Sequence, residues 1–559
     1  MEDYQKIRWV LPGDDSPQVA KLAESIIQAR GADPDSFFNL DYKELGDPYL
    51  LTDMEKAVSH LLAVRDRGGK VAIYGDYDID GLTATALLLD ALTSFGFDVV
   101  SYIPDRFEEG YGLHTPALEY LHRQGIDTVV TVDCGISAVQ PIREAAALGL
   151  NIIVTDHHTV PDIEPEGAVA LINPLRTAST YPERSLAGVG VAFALVRALQ
   201  AQDTDSLPPG HEKWLLDLVA LGTVCDVVPL TGENRLLASY GIQVARKSRR
   251  PAFRALAEVS KVDLARLVAS DFGFRFGPRL NAAGRLEHAA TALELLTSQG
   301  FAEAQASASR LDELNMERRS TTEAIQAEVF AVAELHADDA ILVLSSPEWS
   351  HGVVGLVASR AAEKFGKPTI ILQEEGEFSK GSARSVGDFS IIDALRNCEY
   401  LFEKFGGHKA AAGMTLRTEA IPELRIALNN YVDDELRNLM QREVRADVTL
   451  SEAFISLDGL TQLEKLEPTG QANPAPIFYY RGVLDSVKLV GKQGDHAQIS
   501  FKVDGGVQRA IAFQAPSKWP FFAQGAEVEL LLAIRENDWQ GVRRAQLEVL
   551  QAREYRVGE

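Results

Sequence analysis

The stretch that most constrains this chain is Val71-Ala-Ile-Tyr-Gly-Asp-Tyr-Asp-Ile-Asp-Gly-Leu-Thr83. Its apolar run, Val71 to Tyr74, predicts a buried strand. Gly75 then opens a loop with aspartates at alternating positions, Asp76, Asp78 and Asp80, and Leu82 to Leu89 predicts the start of a buried helix. Strand, acidic loop and helix is the layout of an α/β site at the carboxyl end of a strand. Carboxylates this close repel one another, and crowding raises their pKa values unless a cation offsets it. A hard or borderline metal ion would be that cation. The blander alternative is a solvated acidic turn, or carboxylates that cap the next helix.

The surrounding pattern is repetitive. Met54 to Arg67 reads as an amphipathic helix after a polar, partly helical lead-in. Apolar runs at 71–74, 98–103, 128–132, 151–155 and 168–172 are separated by helical stretches at 82–95, 115–124 and 138–148. Repeated βα units predict a parallel sheet with helices on its faces, and functional groups gathered at the carboxyl ends of its strands. Three such ends carry metal-capable residues. One run leads to Asp133, a second to Asp156, His157 and His158, and a third, Leu216 to Val224, into Cys225-Asp226. Imidazole with several carboxylates suits Mn²⁺ or Mg²⁺, and Zn²⁺ less well. Taken alone, the tandem histidines also fit one buried and one exposed ring with no ligand role. Gly188-Val-Gly190 has no apolar strand before it, so it predicts a helix start near the sheet rather than a dinucleotide loop. Cys134 and Cys225 adjoin these positions as packing residues.

Composition narrows the setting. At 559 residues the chain predicts three or four domains. A net charge of −25 argues against a protein that coats nucleic acid, but not against an enzyme with a local basic groove. Three cysteines without CxxC spacing predict no disulfide framework and a reducing, cytoplasmic setting. The amino-terminal Met1-Glu-Asp-Tyr-Gln-Lys6 carries no signal pattern. No apolar run reaches about 18 residues, so no membrane span is expected.

Residues 301–336, rich in Ala, Glu and Arg and free of Gly and Pro, predict one long helix of about 50 Å. A second α/β unit follows, with strands at Ala340–Leu344 and Pro368–Leu372 and a helix from His351. Gly381-Ser-Ala-Arg-Ser-Val386 reads as a Gly-led turn carrying Ser382 and Arg384. Phe405-Gly-Gly-His-Lys-Ala-Ala-Ala-Gly413 places Gly407 and His408 before a small-residue helix. Glycine-rich backbone and helix amino termini both suit a phosphate. After about 440 the texture turns to short β-rich runs at Phe454–Leu457, Phe478–Val487, His496–Val503, Val507–Phe513, Val528–Ile534 and Arg544–Leu550, with a loop around Pro468, Asn473 and Pro476. An OB-like closed barrel is the simplest fit. Tyr479, Tyr480, His496, Phe501, Lys502 and Phe513 offer either a stacking surface or barrel core.

Gly75-Asp-Tyr-Asp-Ile-Asp-Gly81, Asp133-Cys-Gly135, Asp156-His-His158 and Cys225-Asp-Val-Val-Pro229 stand in the order of the motifs of the DHH/DHHA1 phosphoesterase family. Arg106-Phe-Glu-Glu-Gly-Tyr-Gly-Leu113 and Phe276-Gly-Pro-Arg-Leu-Asn-Ala-Ala-Gly-Arg-Leu286 resemble its RecJ branch of single-strand-specific 5′→3′ exonucleases. The resemblance covers nearly the whole chain. It implies a multidomain α/β protein with a lead-in (1–45), a parallel-sheet DHH catalytic domain (46–300), a connecting helix (301–336), a smaller α/β DHHA1 domain (337–436) and an OB-like nucleic-acid-binding domain (437–559). It implies hydrolysis of single-stranded DNA from a 5′ end, in repair and recombination, with two Mn²⁺ or Mg²⁺ ions. Asp78, Asp80, Asp133, His157 and Asp226 would be the ligands, with Asp76, Asp156 and His158 beside them. Arg106, Tyr111, Arg279, Asn281, Arg285, Ser382, Arg384, Gly407 and His408 would bind substrate. Some family members have His where this chain has Tyr74, which leaves one ion a side-chain ligand short. Single-strand-binding protein and a helicase are the implied partners, with no membrane. The competing readings are a DHH phosphodiesterase for short oligonucleotides or cyclic dinucleotides, and a non-enzymatic scaffold. The filled acidic and His positions argue against the scaffold.

Overall fold

The computed structural model describes residues 7–13, 17–106, 108–539 and 542–555. The amino-terminal hexapeptide and Phe107, both used above, lie outside the described residues. The chain divides into two compact units: Gly31–Asn315 with Gln462–Ala475, and Met1–Arg30 with Met316–Thr461 and Pro476–Glu559.

In the first unit, five strands form a wholly parallel sheet: β1 (Lys70–Tyr74), β2 (Asp98–Tyr102), β3 (Thr128–Val132), β4 (Asn151–Thr155) and β5 (Ala170–Ile172). Their order is β2-β1-β3-β4-β5. The central strands are mostly apolar and buried because both faces are covered, with Thr128, Thr131 and Thr155 buried among the apolar residues. Val71 and Ile73 enter a large core, while Ala72 and Tyr74 point into a separate one on the opposite face, beside Leu118 and Ile142. Helices α1 (Ile79–Ser94), α2 (Thr115–Arg123) and α3 (Val139–Ala147) fill the expected crossover stretches. Register keeps the carboxyl ends level, with Tyr74 opposite Tyr102 and Thr131, and Val132 opposite Thr155. The chain leaves β1 for β2 on one side and comes back to β3 on the other. The β1/β3 boundary is therefore a topological switch point, where open sheets of this kind form their crevice.

Helix α4 (Gly188–Gln202) starts at Gly188, as the sequence predicts. The run Leu216–Val224 is not a strand. It is most of helix α5, Leu216–Cys225, and Asp226 is its C-cap. Leu216 through Thr223 are all buried, so no polar stripe marks the helix, and an all-apolar run reads the same for either element. Helix α6 (Gly277–Leu286) follows one turn of π-helix at Phe272–Phe276. Helix α7, Phe301–Glu334, runs 34 residues of the expected 301–336, and from Met316 on it belongs to the second unit. Arg235 explains why the proline-rich loop belongs with this unit. Its buried guanidinium donates to the carbonyls of Lys465, Leu466, Glu467 and Pro468 and lies over the Phe37 ring.

In the second unit, β6 (Leu342–Ser346), β7 (Thr369–Glu375), β8 (Phe378–Arg384), β9 (Phe402–Gly407) and β10 (Ala411–Arg417) form a mixed sheet in the order β9-β10-β8-β7-β6. Helix α8 (His351–Phe365) starts where the sequence places it. Two expectations change. Ser382 and Arg384 lie in strand β8, not in a turn. Gly407 and His408 sit at the tip of the β9–β10 hairpin, not before a helix. Ala412, Met414 and Leu416 are buried at alternate positions, a strand period that the helix-favouring alanines obscure. Gly407 is required there, since a β-carbon would stand 2.4 Å from the Ala411 carbonyl oxygen.

The carboxyl-terminal strands β11 (Phe478–Val490), β12 (His496–Val503), β13 (Gly506–Ala512), β14 (Glu527–Trp539) and β15 (Val542–Glu554) pair in the order β11-β12-β13-β15-β14, and β14 pairs back to β11. The ring closes, as an OB-type barrel requires. Phe454–Leu457 is not a strand. It lies in a 3-10 turn at Glu452–Phe454 and the start of a helix at Leu457, and Phe454 is buried against Phe478. Within the lead-in, Arg8–Val10 forms a strand parallel to Glu443–Arg445.

Candidate metal centre

Every element that ends at the switch point contributes. Asp78 caps α1, accepting the Gly81 N–H at 3.1 Å. Asp80 is buried and accepts two N–H groups from the start of α4, Gly188 at 2.5 Å and Val189 at 2.8 Å. That anchoring needs a close approach. A β-carbon on Gly188 would stand 2.8 Å from Asp133 Cβ and 3.0 Å from Asp80 Oδ2, and one on Gly222 would meet Thr83 Oγ1 at 2.3 Å. Asp133, just past β3, is buried in a left-handed conformation at φ 59.

Asp156 organises the Asp-His-His run. Its Oδ1 accepts the His157 and His158 N–H groups at 2.7 and 3.0 Å and lies 2.8 Å from His158 Nδ1, while Oδ2 accepts the Ile136 N–H. The His157 ring is left to face the carboxylates. Its Nε2 lies 3.1 Å from Asp133 Oδ1, 3.7 Å from Asp226 Oδ2 and 3.8 Å from Asp80 Oδ2. Three sets of side-chain atoms lie within ion-binding reach of one another: Asp133 with His157 and His158, Asp80 with His157 and Asp226, and Asp76 with Asp78 and Asp133.

The electrostatics show what the cluster lacks. Burial, then the Asp78 charge, pushes Asp80 up to about 7. Burial, then Asp80, pushes Asp226 up to about 9. Asp76 and Asp133 are raised well above the carboxylate range by burial and by neighbouring carboxylates. Burial and the neighbouring His158 lower His157 to about 4. Asp156 differs: burial opposes its charge, but the bonds from His158 and the backbone hold it below its ordinary value. Asp76 Oδ1, Asp133 Oδ1 and His157 Nε2 are buried without a hydrogen-bond partner. Unpaired buried groups of this kind are costly and call for a ligand.

Around the cluster, the Arg106 guanidinium lies over the Tyr77 ring at 5.1 Å. The Tyr111 hydroxyl lies 3.4 Å from the His158 ring nitrogens and the Asp133 carbonyl. Arg285 and Asn281 are on α6, where a β-carbon on Gly284 would stand 3.0 Å from the Tyr77 carbonyl oxygen. Arg279, on the same helix, is engaged elsewhere, with Asp312 and the carbonyls of Arg275 and Val259. Tyr74 gives its hydroxyl to the Gly112 carbonyl at 3.0 Å. In the second unit, Arg384 donates to Ser359 Oγ at 3.1 Å. Arg384 and Ser382 both flank Gly355 of α8, where a β-carbon would stand 3.1 and 3.2 Å from them. His408 is exposed, and its N–H donates to the Ala411 carbonyl. Sequence reasoning missed Gly188 and Gly222. Their signal was a glycine opening or lining an otherwise apolar helix.

Known proteins match this arrangement. Residues 70–223 match the DHH family, N-terminal domain, 338–434 the DHHA1 domain and 446–551 the RecJ OB domain. The fold is thus that of a DHH phosphoesterase. The single-stranded-DNA-specific exonuclease RecJ of Bacillus subtilis is 33% identical over 98% of this chain and 71% of its own length. That of Salmonella typhimurium is 38% identical over 89% of each. The crystal structure of RecJ from Thermus thermophilus in complex with Mn²⁺ superposes with a TM-score of 0.84 at 30% identity, covering 99% of this chain and 80% of that one. The chain belongs to the RecJ family of single-stranded-DNA-specific exonucleases. Among the described residues, no helix is long and apolar enough to cross a membrane.

Proposed function

We propose that the chain is a metal-dependent 5′→3′ exonuclease that hydrolyses single-stranded DNA from a 5′ end to mononucleotides, in DNA repair and recombination. One observation carries most weight: Asp76 Oδ1, Asp133 Oδ1 and His157 Nε2, buried and unpartnered, belong to sets of atoms within ion-binding reach at the switch point. Oxygen donors with one or two imidazoles fit Mn²⁺ or Mg²⁺. Asp78, Asp80, Asp133, His157 and Asp226 would hold two such ions. Once bound, a metal pair lowers the pKa of a water and neutralises charge developing on the phosphoryl oxygens.

The chain's own residues do the rest. Asp156 fixes the His158 ring and leaves its Nε2 beside Tyr111. Asp80 keeps one orientation because both of its oxygens are held by the α4 amino terminus. Arg106 and Arg285 would take up the terminal phosphate, since a guanidinium gives it two parallel hydrogen bonds. Ser382 and Arg384, with Gly407 and His408, are the corresponding candidates in the second unit. Asn281 would contact the strand, and Tyr111 would stack on a terminal base. Arg279 is a weaker candidate than its motif suggests, because Asp312 already holds it. The barrel, residues 437–559, would hold the strand beyond the cut, after the lead-in (1–45), catalytic (46–300), connecting (301–336) and second α/β (337–436) segments. Single-strand-binding protein and a helicase are the expected partners, in the cytoplasm.

The test is a single strand labelled at its 5′ end and incubated with Mn²⁺. Label released as mononucleotide from the first turnover, and blocked by chelator, is the expected result. Release from the 3′ end first, or internal fragments, would overturn the direction assigned here.

A further inference from the structure

Val227 is the only β-branched residue among the described residues with a left-handed backbone, φ 63. It follows Asp226 directly, just past the carboxyl end of α5, where glycine is the usual occupant. A branched β-carbon makes that conformation costly. Folding returns little for it. The residue is 63% exposed, and its N–H reaches the Val224 carbonyl only at 3.4 Å. The next apolar residues differ: Val228 packs against the core and Leu230 is buried. The chain thus holds an exposed apolar side chain in an unfavourable conformation, beside a carboxylate whose Oδ2 is 3.7 Å from His157 Nε2. Strain and exposure that serve no packing point to a role outside the folded chain.

We infer that Val227 is a substrate-contact residue: its methyls rest against the apolar face of the nucleoside whose phosphate is cleaved beside the Asp80–His157–Asp226 group. The inference rests on the exonuclease reading. Val227 is the next residue after Asp226, so its Cα lies about 3.8 Å from that of Asp226, and its exposed side chain is open to a ligand bound there. An aliphatic contact reads no hydrogen-bonding edge. It therefore accepts every base, which an enzyme that degrades a strand of any sequence needs.

The experiment compares the full-length chain with Val227→Ala, Val227→Gly and Val227→Ile on a 5′-phosphorylated oligodeoxynucleotide. KM, kcat, the Mn²⁺ concentration for half-maximal rate and the melting temperature are recorded for each. Val227→Ala should raise KM about tenfold, the scale of losing a small aliphatic contact, with kcat little changed. Val227→Gly should raise KM similarly and melt no lower than the parent, because it relieves the backbone. Val227→Ile should stay near the parent. An unchanged KM in both Val227→Ala and Val227→Gly would overturn the contact. A KM rise matched by weaker Mn²⁺ activation would overturn it too, by tracing the effect to Asp226. A parent chain that leaves the strand intact removes the exonuclease reading and this inference with it, whereas a parent that cleaves beside unchanged variants removes this inference alone.

Discussion

Nε2 of His157 lies 3.1 Å from Oδ1 of Asp133, and both atoms are buried without a hydrogen-bond partner. They come from the ends of adjacent strands, held by Asp156 on one side and by the level β3–β4 register on the other. Two such atoms that approach without bonding are placed for a third party.

Asp133→Ala should cost more than about 100-fold in activity, beyond the usual effect of losing a supporting partner. Its metal-free form should melt no lower than the parent, because a crowded carboxylate is gone. Asp80→Ala should lose activity equally but also stability, by about 1–3 kcal/mol for each N–H left unpaired on Gly188 and Val189. Activity assays with calorimetry of both variants decide this. Asp133→Ala turning over at more than about a tenth of the parent rate would remove its place in the site.

The metal-free protein should lose stability as pH rises. Asp80 and Asp226 titrate near 7 and 9 in the folded chain against an ordinary 3.8, and Asp76 and Asp133 are also raised. The folded state therefore binds more protons than the unfolded one between about pH 4 and about pH 9, and stability falls across that window. Two groups have the opposite sign: Asp156, held low, whose contribution is lost only in acid below the ordinary carboxylate range, and His157, lowered to about 4, which adds stability as pH rises from about 4 to its ordinary 6.5 and is outweighed by the four raised carboxylates. Melts of chelator-treated protein should show the decline, and saturating Mn²⁺ should flatten it, because the ion binds the deprotonated form. Metal-free stability rising with pH would contradict the crowding.

Gly188→Ala should leave the fold intact and cut activity at least about tenfold. The new β-carbon would stand 2.8 Å from Asp133 Cβ and 3.0 Å from Asp80 Oδ2, so both carboxylates must shift. The Mn²⁺ concentration for half-maximal activity should rise, as it does when a ligand's supporting contacts are disturbed. A variant with parental Mn²⁺ dependence would show that the carboxylates tolerate the displacement.

Arg384→Ala should reduce discrimination between 5′-phosphate and 5′-hydroxyl strands more than it weakens strand binding. Arg384 is held by Ser359 beside Ser382 and Gly355, where a β-carbon would stand 3.1 Å from its guanidinium. Cleavage rates of the two strand types give the ratio. A ratio equal to the parent's would remove Arg384 from end recognition.

Much of this was legible in the sequence where a period was sharp. Val71–Tyr74 and the four later runs became the sheet, because strands buried on both faces carry mostly apolar residues. The Asp and His residues at their ends converged because parallel register puts carboxyl ends on one edge. The sequence was opaque where environment decides. Leu216–Thr223 is buried all round, so its apolar run hid a helix. Ala411–Gly413 favours a helix locally, but pairing with Ser382–Arg384 makes it a strand. Of the barrel's aromatics, Tyr480 and Phe501 are core, with rings 4.3 Å apart, while Phe513 is 44% exposed. Residue type alone does not separate those cases. Gly188 and Gly222 matter through what they exclude, which only the packed structure shows.

The most direct measurement of the central claim is a competition between a 5′-phosphorylated single strand and a dinucleotide, each labelled, in one reaction with Mn²⁺. Mononucleotides should accumulate from the strand in order from its 5′ end, duplex of the same sequence should stay intact, and the dinucleotide should be the poorer substrate. A strand left intact while the dinucleotide is consumed would contradict the account and leave a phosphodiesterase for short substrates in its place.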